Sequence, residues 1–177
     1  MLGISVPEAD AVLSLVRSAF DGEVPHAGVN AHITILYPWM PPAIIDEQAI
    51  NDLASLFSEF PCFDFSLQVG WFGHEVLLLI PEDNSPFVRI TEAVIGHWPQ
   101  YPYYGGEYDK IEPHVSLAWG EKTKLSRVAE LIACHVPVKG HAAFITLCTG
   151  KTGFMTRFAE FPLKSIASNR DSKKPHR

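Results

Sequence analysis

Two stretches, His32-Ile-Thr-Ile-Leu-Tyr37 and His114-Val-Ser-Leu-Ala-Trp119, can be written one above the other with every position identical or similar in kind. Each mixes β-branched, aliphatic and aromatic residues in a run of six, the composition of a strand rather than of a helix. Successive side chains of a strand point to opposite faces. His32 and Thr34 therefore share one face, with Ile33 and Ile35 on the other; His114 and Ser116 repeat the arrangement opposite Val115 and Leu117.

Working outward, each stretch sits at the same place in a repeated series. Helical spacing runs from Pro7 and Glu8 through Val12, Leu13, Val16 and Phe20, and from an Asp46 cap through Ile50, Leu53 and Phe57. It returns from Ser85-Pro86 through Phe87, Ile90 and Val94, and from Thr123 through Leu125, Val128 and Ile132. Strand-like runs lie between them, at Leu2 to Val6, Phe63 to Val69, Val76 to Ile80, Val136 to Cys148 and Phe154 to Leu163. The last two flank Gly150-Lys-Thr-Gly153, a turn signal that makes them a hairpin. The order strand, helix, strand, helix, strand thus occurs twice, with one strand added at the end. Such a duplication predicts an α+β fold with two lobes about an approximate two-fold axis. Each lobe is a sheet covered by its helices, and the two lobes face each other. The expected lobes are residues 1–70 and 74–164 of a single domain 1–164, followed by a flexible tail, 165–177.

At 177 residues, with 47% hydrophobic and 19% charged side chains, the chain suits one soluble domain. Its longest apolar runs, such as Val76 to Ile80, are far too short to span a bilayer, and its amino terminus does not read as a secretory signal, so a cytoplasmic location is expected. Cys62, Cys134 and Cys148 are odd in number and widely spaced, which argues against a disulfide framework or a paired-thiolate zinc site and favours reduced core thiols. The net charge of −6 argues against a protein that coats long nucleic acid. It conceals an asymmetry: residues 1–109 sum to −13 and residues 110–177 to +7. An anionic ligand is expected to be held mainly by the carboxy-terminal half.

If the two stretches meet across the lobes, one cleft receives two imidazoles and two hydroxyls. Imidazoles with an ordinary pKa of about 6.5 can take a proton from a nucleophile and give one to a leaving oxygen, and hydroxyls can donate to non-bridging phosphate oxygens. A single His-x-Ser/Thr is worth little in a chain with eight histidines. The weight lies in two copies at equivalent places of a duplicated series, 82 residues apart. Tyr37 and Trp119, at odd offsets, are expected on the opposite, core-facing side. The other histidines have no ligand spacing and receive no role.

With Tyr37-Pro38 after the first motif, Pro113 before the second, and Pro102-Tyr-Tyr-Gly-Gly-Glu-Tyr-Asp109 upstream of it, the pattern resembles the two-histidine phosphoesterase superfamily, and most closely its 2'-5' RNA ligase-like branch. The resemblance runs from about Val29 to Trp119. It implies a bilobal α+β fold of two antiparallel sheets with the active-site cleft between the lobes, and hydrolysis or transesterification at RNA-type phosphates without cofactor or metal, on a 2',3'-cyclic phosphate or a 2'-5' linkage. Carried over, His32 and His114 become the acid/base pair and Thr34 and Ser116 the phosphate holders. Tyr104, in the loop before the second motif, is a candidate lid that stacks on a base, and Lys110 and Arg157 are candidate phosphate contacts. The expected partner is a nucleotide 2',3'-cyclic phosphate or an RNA terminus bound by a monomer. Three alternatives are weighed: a nucleotide-binding module without turnover, an RNA ligase running the reverse reaction, and a metal-dependent hydrolase, against which the lack of His-Glu-x-x-His speaks.

Overall fold

Two four-stranded antiparallel sheets and four helices make up the protein, seen in a computed structural model that describes residues 1–151 and 154–165. The expected tail beyond Ser165, and Thr152 and Gly153 of the expected turn, lie outside the described residues. The strands are β1 (Leu2–Ser5), β2 (His32–Leu36), β3 (Phe63–Phe72), β4 (Val76–Pro81), β5 (Val115–Trp119), β6 (Val138–Ala142), β7 (Phe144–Lys151) and β8 (Phe154–Pro162). The helices are α1 (Asp10–Ala19), α2 (Glu47–Phe57), α3 (Ser85–His97) and α4 (Lys122–Ile132). All four helices bury the apolar stripe read from the sequence: Val12, Leu13 and Val16; Leu53 and Phe57; Phe87, Ile90 and Val94; Leu125, Val128 and Ile132. Asp46 caps α2 as expected, accepting the Ala49 amide at 2.8 Å. Thr123 does not cap α4, which begins one residue earlier behind an extended Glu121. None of these helices is long and apolar enough to cross a membrane.

The α+β, two-sheet architecture is as expected, but the division of the chain between the sheets is not 1–70 and 74–164. The strand orders are β2-β1-β7-β8 and β5-β4-β3-β6. Strand β3 leaves the first half because only three residues separate it from β4. Gly73, at φ +58°, makes the tight reversal and β3 must pair with β4 as a hairpin. The run Val136 to Cys148 likewise divides at Ala143: β6 closes the second sheet beside β3, whereas β7 crosses to the first and pairs with β1. Helices also cross over, with α3 against β2, α1 against α4 and β5, and α2 against β8. A single apolar core runs through both sheets.

Strands β2 and β5 each carry one residue too many. Leu2 faces Leu36 and Gly3 faces Thr34, so Ile35 has no opposite number on β1. Leu77 faces Ala118 and Leu78 faces Ser116, leaving Leu117 unmatched on β4. These are β-bulges at the same position of the two motifs, and each breaks the period of two. A bulge disturbs the backbone pairing around it, and one donor comes from a helix. Thr91 of α3, 1% exposed, donates its hydroxyl to the Ile35 carbonyl at 2.9 Å and also reaches the Phe87 carbonyl at 3.0 Å. Replacing Thr91 with Val keeps the shape and removes the donor. The variant is expected to lose about 1–3 kcal/mol of stability in urea unfolding, the cost of a buried acceptor left unmade.

Candidate active site

His32 begins β2 and His114 immediately precedes β5, so the two strands carry them to equivalent ends of facing sheets. Both line one cavity of about 460 Å3, together with Thr34, Ser116, Tyr104 and Trp119. Burial alternates as expected, with Ile33, Ile35, Val115 and Leu117 in the core and Thr34 and Ser116 facing the cleft. The sequence-derived quartet is thus brought together.

The two imidazoles are held in the same way. Nδ1 of His32 lies 2.9 Å from the Asn30 carbonyl, and Nδ1 of His114 lies 2.7 Å from the Glu112 carbonyl. A carbonyl can only accept, so Nδ1 must be the protonated nitrogen of each neutral ring. That leaves Nε2 with its lone pair in both. The clamp is made to the residue two positions upstream in each case and is part of the duplication. Burial lowers the pKa of His114 below the ordinary histidine value. The Glu112 carbonyl and carboxylate oppose this, and nearby His32 adds to it.

Tyr104 stands at the centre of the cleft. Its backbone is left-handed, at φ +45°, a conformation that costs a residue with a side chain about 1–3 kcal/mol and points to a functional constraint. The ring is edge-on to Tyr37 (6.4 Å), Tyr103 (4.7 Å) and Tyr108 (5.6 Å). Burial raises the pKa of its hydroxyl, and a hydrogen bond with the Thr34 side chain partly offsets this. Lys110 lies on a neighbouring cavity of about 390 Å3 that includes His114, Ser116, Tyr104, Tyr108 and Phe72. Arg157 lies on another, of about 570 Å3, on the side of His32 and Thr34, and is paired with Glu160 at 2.7 Å. The two candidate phosphate contacts therefore sit at opposite arms of the cleft.

Tyr37 and Trp119 are corrections. Both were expected in the core, yet Tyr37 is 40% exposed and both rings line the cleft. The bulges at Ile35 and Leu117 explain this, since an inserted residue returns the odd offset to the face of the histidines. Phe72 and Tyr108, 5.9 Å apart, were given no role from the sequence; Tyr108 lies in the Pro102–Asp109 stretch before the second motif, and for Phe72 only its aromatic character could have suggested it. The cysteines are free as expected, but none is fully buried: Cys62 is half-buried against the core, Cys134 is exposed and Cys148 borders the cavity on the His32 side.

The model of the 2'-5' RNA ligase superfamily matches residues 6–143, a span that contains both motifs. The chain belongs to the 2'-5' RNA ligase superfamily. No curated protein matches the chain by sequence. Among solved structures, it is similar to E. coli LigT complexed with 3'-AMP (16% identity, TM-score 0.58, covering 92% of this chain and 95% of that one). The protein TT0787 of Thermus thermophilus is similar too, at 19% identity and TM-score 0.58, with 93% and 97% covered. So is E. coli LigT complexed with NADP+, at 15% identity and TM-score 0.56, with 92% and 95% covered. At these identities the likeness establishes that the superfamily fold is shared.

The depressed proton affinity of His114 has a consequence for stability. The unfolded chain takes up this proton more readily than the folded one, so His114 costs no stability above the ordinary pKa of 6.5. Stability falls as the pH drops through that value towards the lower folded one. Between about pH 7.5 and 5.5 the wild type is expected to lose more stability than His114→Gln, compared by urea unfolding midpoints at each pH.

Proposed function

We propose that the protein is a phosphodiesterase acting on nucleotide or RNA-end phosphodiesters, a 2',3'-cyclic phosphate or a 2'-5' linkage, by two-histidine acid/base catalysis. The observation that carries this reading is the paired clamp: two imidazoles in one cleft, each with Nδ1 donated to a carbonyl and Nε2 free, each beside a hydroxyl on the same strand face. Superfamily membership supports an activity of the phosphoesterase kind, and the nucleotide complexes of LigT support a nucleotide ligand.

In this reading one Nε2 takes the proton of a water or sugar hydroxyl as its oxygen bonds to phosphorus. The other Nε2, protonated, gives its proton to the oxygen whose bond to phosphorus breaks. The ring that gains a proton keeps its Nδ1 bond to the carbonyl, which becomes charge-assisted and steadies the imidazolium. His114, held neutral by burial, fits the base and His32 the acid. Thr34 and Ser116 donate to the non-bridging oxygens as negative charge gathers on them. Tyr104 and Lys110 on one arm and Arg157 on the other contact the substrate. The same groups serve the reverse direction, ligation, by microscopic reversibility.

The test is turnover of the four nucleoside 2',3'-cyclic phosphates and of 2'-5'-linked dinucleotides, with EDTA present throughout. Activity is expected to survive the chelator, and His32→Ala or His114→Ala is expected to lower kcat by about 10²–10⁴-fold with the fold preserved by circular dichroism. Full activity in either variant would reject the assignment. Activity abolished by EDTA and restored by zinc would reject it in favour of a metal-dependent hydrolase.

A further inference from the structure

Tyr104 borders the central cavity and both of its arms, and its place there is fixed from the backbone outward. It opens a run of three left-handed residues, at φ +45°, followed by Gly105 at +67° and Gly106 at +85°. The glycines adopt that conformation freely, whereas a side chain opposes it, so the turn strains the one residue that faces the cleft. Its predecessor is the anchor. Tyr103 is 6% exposed, packs its ring 4.7 Å from that of Tyr104, and donates its hydroxyl at 3.5 Å to the Glu112 carbonyl. The same carbonyl holds Nδ1 of His114. The turn is therefore tied to the second motif while Tyr104 reaches across to the first.

What meets the first motif is the hydroxyl. The ring is half-buried among Tyr37, Tyr103 and Tyr108, whereas Phe72 and Tyr108 in the same arm are 46% and 43% exposed and offer freer ring faces. The phenol hydrogen-bonds the Thr34 side chain. Thr34 in turn donates its proton to the Met1 sulfur, 3.9 Å away, which leaves its oxygen as the acceptor for the phenol proton. Two hydroxyls in series thus end on a thioether, a weak acceptor. A phosphate oxygen is a far stronger one, and both donors stand ready to turn to it. Burial raises the pKa of the phenol and so keeps its proton in place at neutral pH.

We infer that Tyr104 acts through its hydroxyl, as a third donor of the phosphate pocket that joins Thr34 on one non-bridging oxygen, and not as a lid whose ring stacks on a base. The inference rests on the phosphodiesterase reading for the position of the phosphate. It adds to the duplicated quartet a donor drawn from outside both motifs.

Two variants separate hydroxyl from ring: Tyr104→Phe removes only the hydroxyl, and Tyr104→Ala removes both. On adenosine 2',3'-cyclic phosphate Tyr104→Phe is expected to lower kcat by about 10–100-fold, with KM within about threefold of the wild type. The two diastereomeric cyclic phosphorothioates locate the contact, because each replaces a different non-bridging oxygen with sulfur, a weaker acceptor. The loss is expected to shrink to within about threefold on the diastereomer that turns sulfur to the hydroxyls, and to stay in full on the other. A merely structural residue would lose equally on both, and that result would overturn the inference. So would full activity in Tyr104→Phe with a loss appearing only in Tyr104→Ala, since the ring would then be the part that serves. Binding keeps the test independent of turnover. By calorimetry Tyr104→Phe is expected to weaken adenosine 3'-monophosphate about fivefold and adenosine itself by less than about twofold. Equal weakening of the two would overturn the inference. A wild type that binds the monophosphate yet turns over none of the cyclic esters would count against the phosphodiesterase reading, and the affinity comparison would still decide the role of the hydroxyl. A wild type that binds no monophosphate would overturn both.

Discussion

The hydrogen bond from each histidine Nδ1 to the carbonyl two residues upstream is the constraint on which the cleft depends. It needs the chain to enter β2 and β5 along the same path, with Asn30 and Glu112 turned to present their carbonyls to the ring that follows. Once that is met, tautomer, ring orientation and the free Nε2 follow without any further side chain. A carbonyl, unlike a carboxylate, cannot take the proton away, so the clamp suits both the neutral and the charged ring as donors and leaves Nε2 as the nitrogen open to proton exchange. The two strands then have only to be held at a fixed separation. The shared core and the crossing of β3, β7 and α3 between halves do this by making either lobe incomplete without the other.

Within that frame the bulges decide what surrounds the histidines. With strict alternation Tyr37 and Trp119 would point into the core instead of the cleft. Inserting Ile35 and Leu117 keeps the apolar residues on the core side for two consecutive positions and swings the next aromatic ring to the cleft side. The disturbance in backbone pairing is met at Ile35 by Thr91, a helix residue that serves strand geometry, so a buried hydroxyl far from the chemistry supports the shape of the cleft.

What could be read from the sequence follows from the range of each interaction. The helices, and the faces they bury, are local in origin and were legible from spacing; so was the shared face of His32 with Thr34 and of His114 with Ser116, which needs only a period of two over three residues. Sheet membership was not, because β7 joins β1 across more than a hundred residues and nothing local to Phe144 states its partner. The split at Ala143 was hidden because strand-forming residues continue on both sides of it. The bulges were hidden for a related reason: Ile35 and Leu117 are ordinary strand residues, and only the register with a neighbouring strand reveals that one of them is extra. Tyr104 was picked out by its place before the second motif, but its left-handed backbone and its contact with Thr34 of the other sheet are tertiary facts.

In the proposed reaction, duplication by itself would give a symmetric catalyst, unable to distinguish the attacking from the leaving side of a phosphodiester. The protein breaks the symmetry in two places without disturbing the paired clamp. One is the environment of His114, whose burial favours the neutral ring. The other is the lining of the two arms, with Phe72, Val76 and Leu78 on the His114 side and the Arg157–Glu160 pair on the His32 side. In the proposed reaction these two asymmetries would act together: the linings would bias which substituent lies by which histidine, and the burial of His114 would favour that ring as the proton acceptor. Neither alone would assign a direction, because a substrate free to turn end for end would cancel the difference between the imidazoles. Identical imidazoles, in turn, would serve either orientation of a fixed substrate.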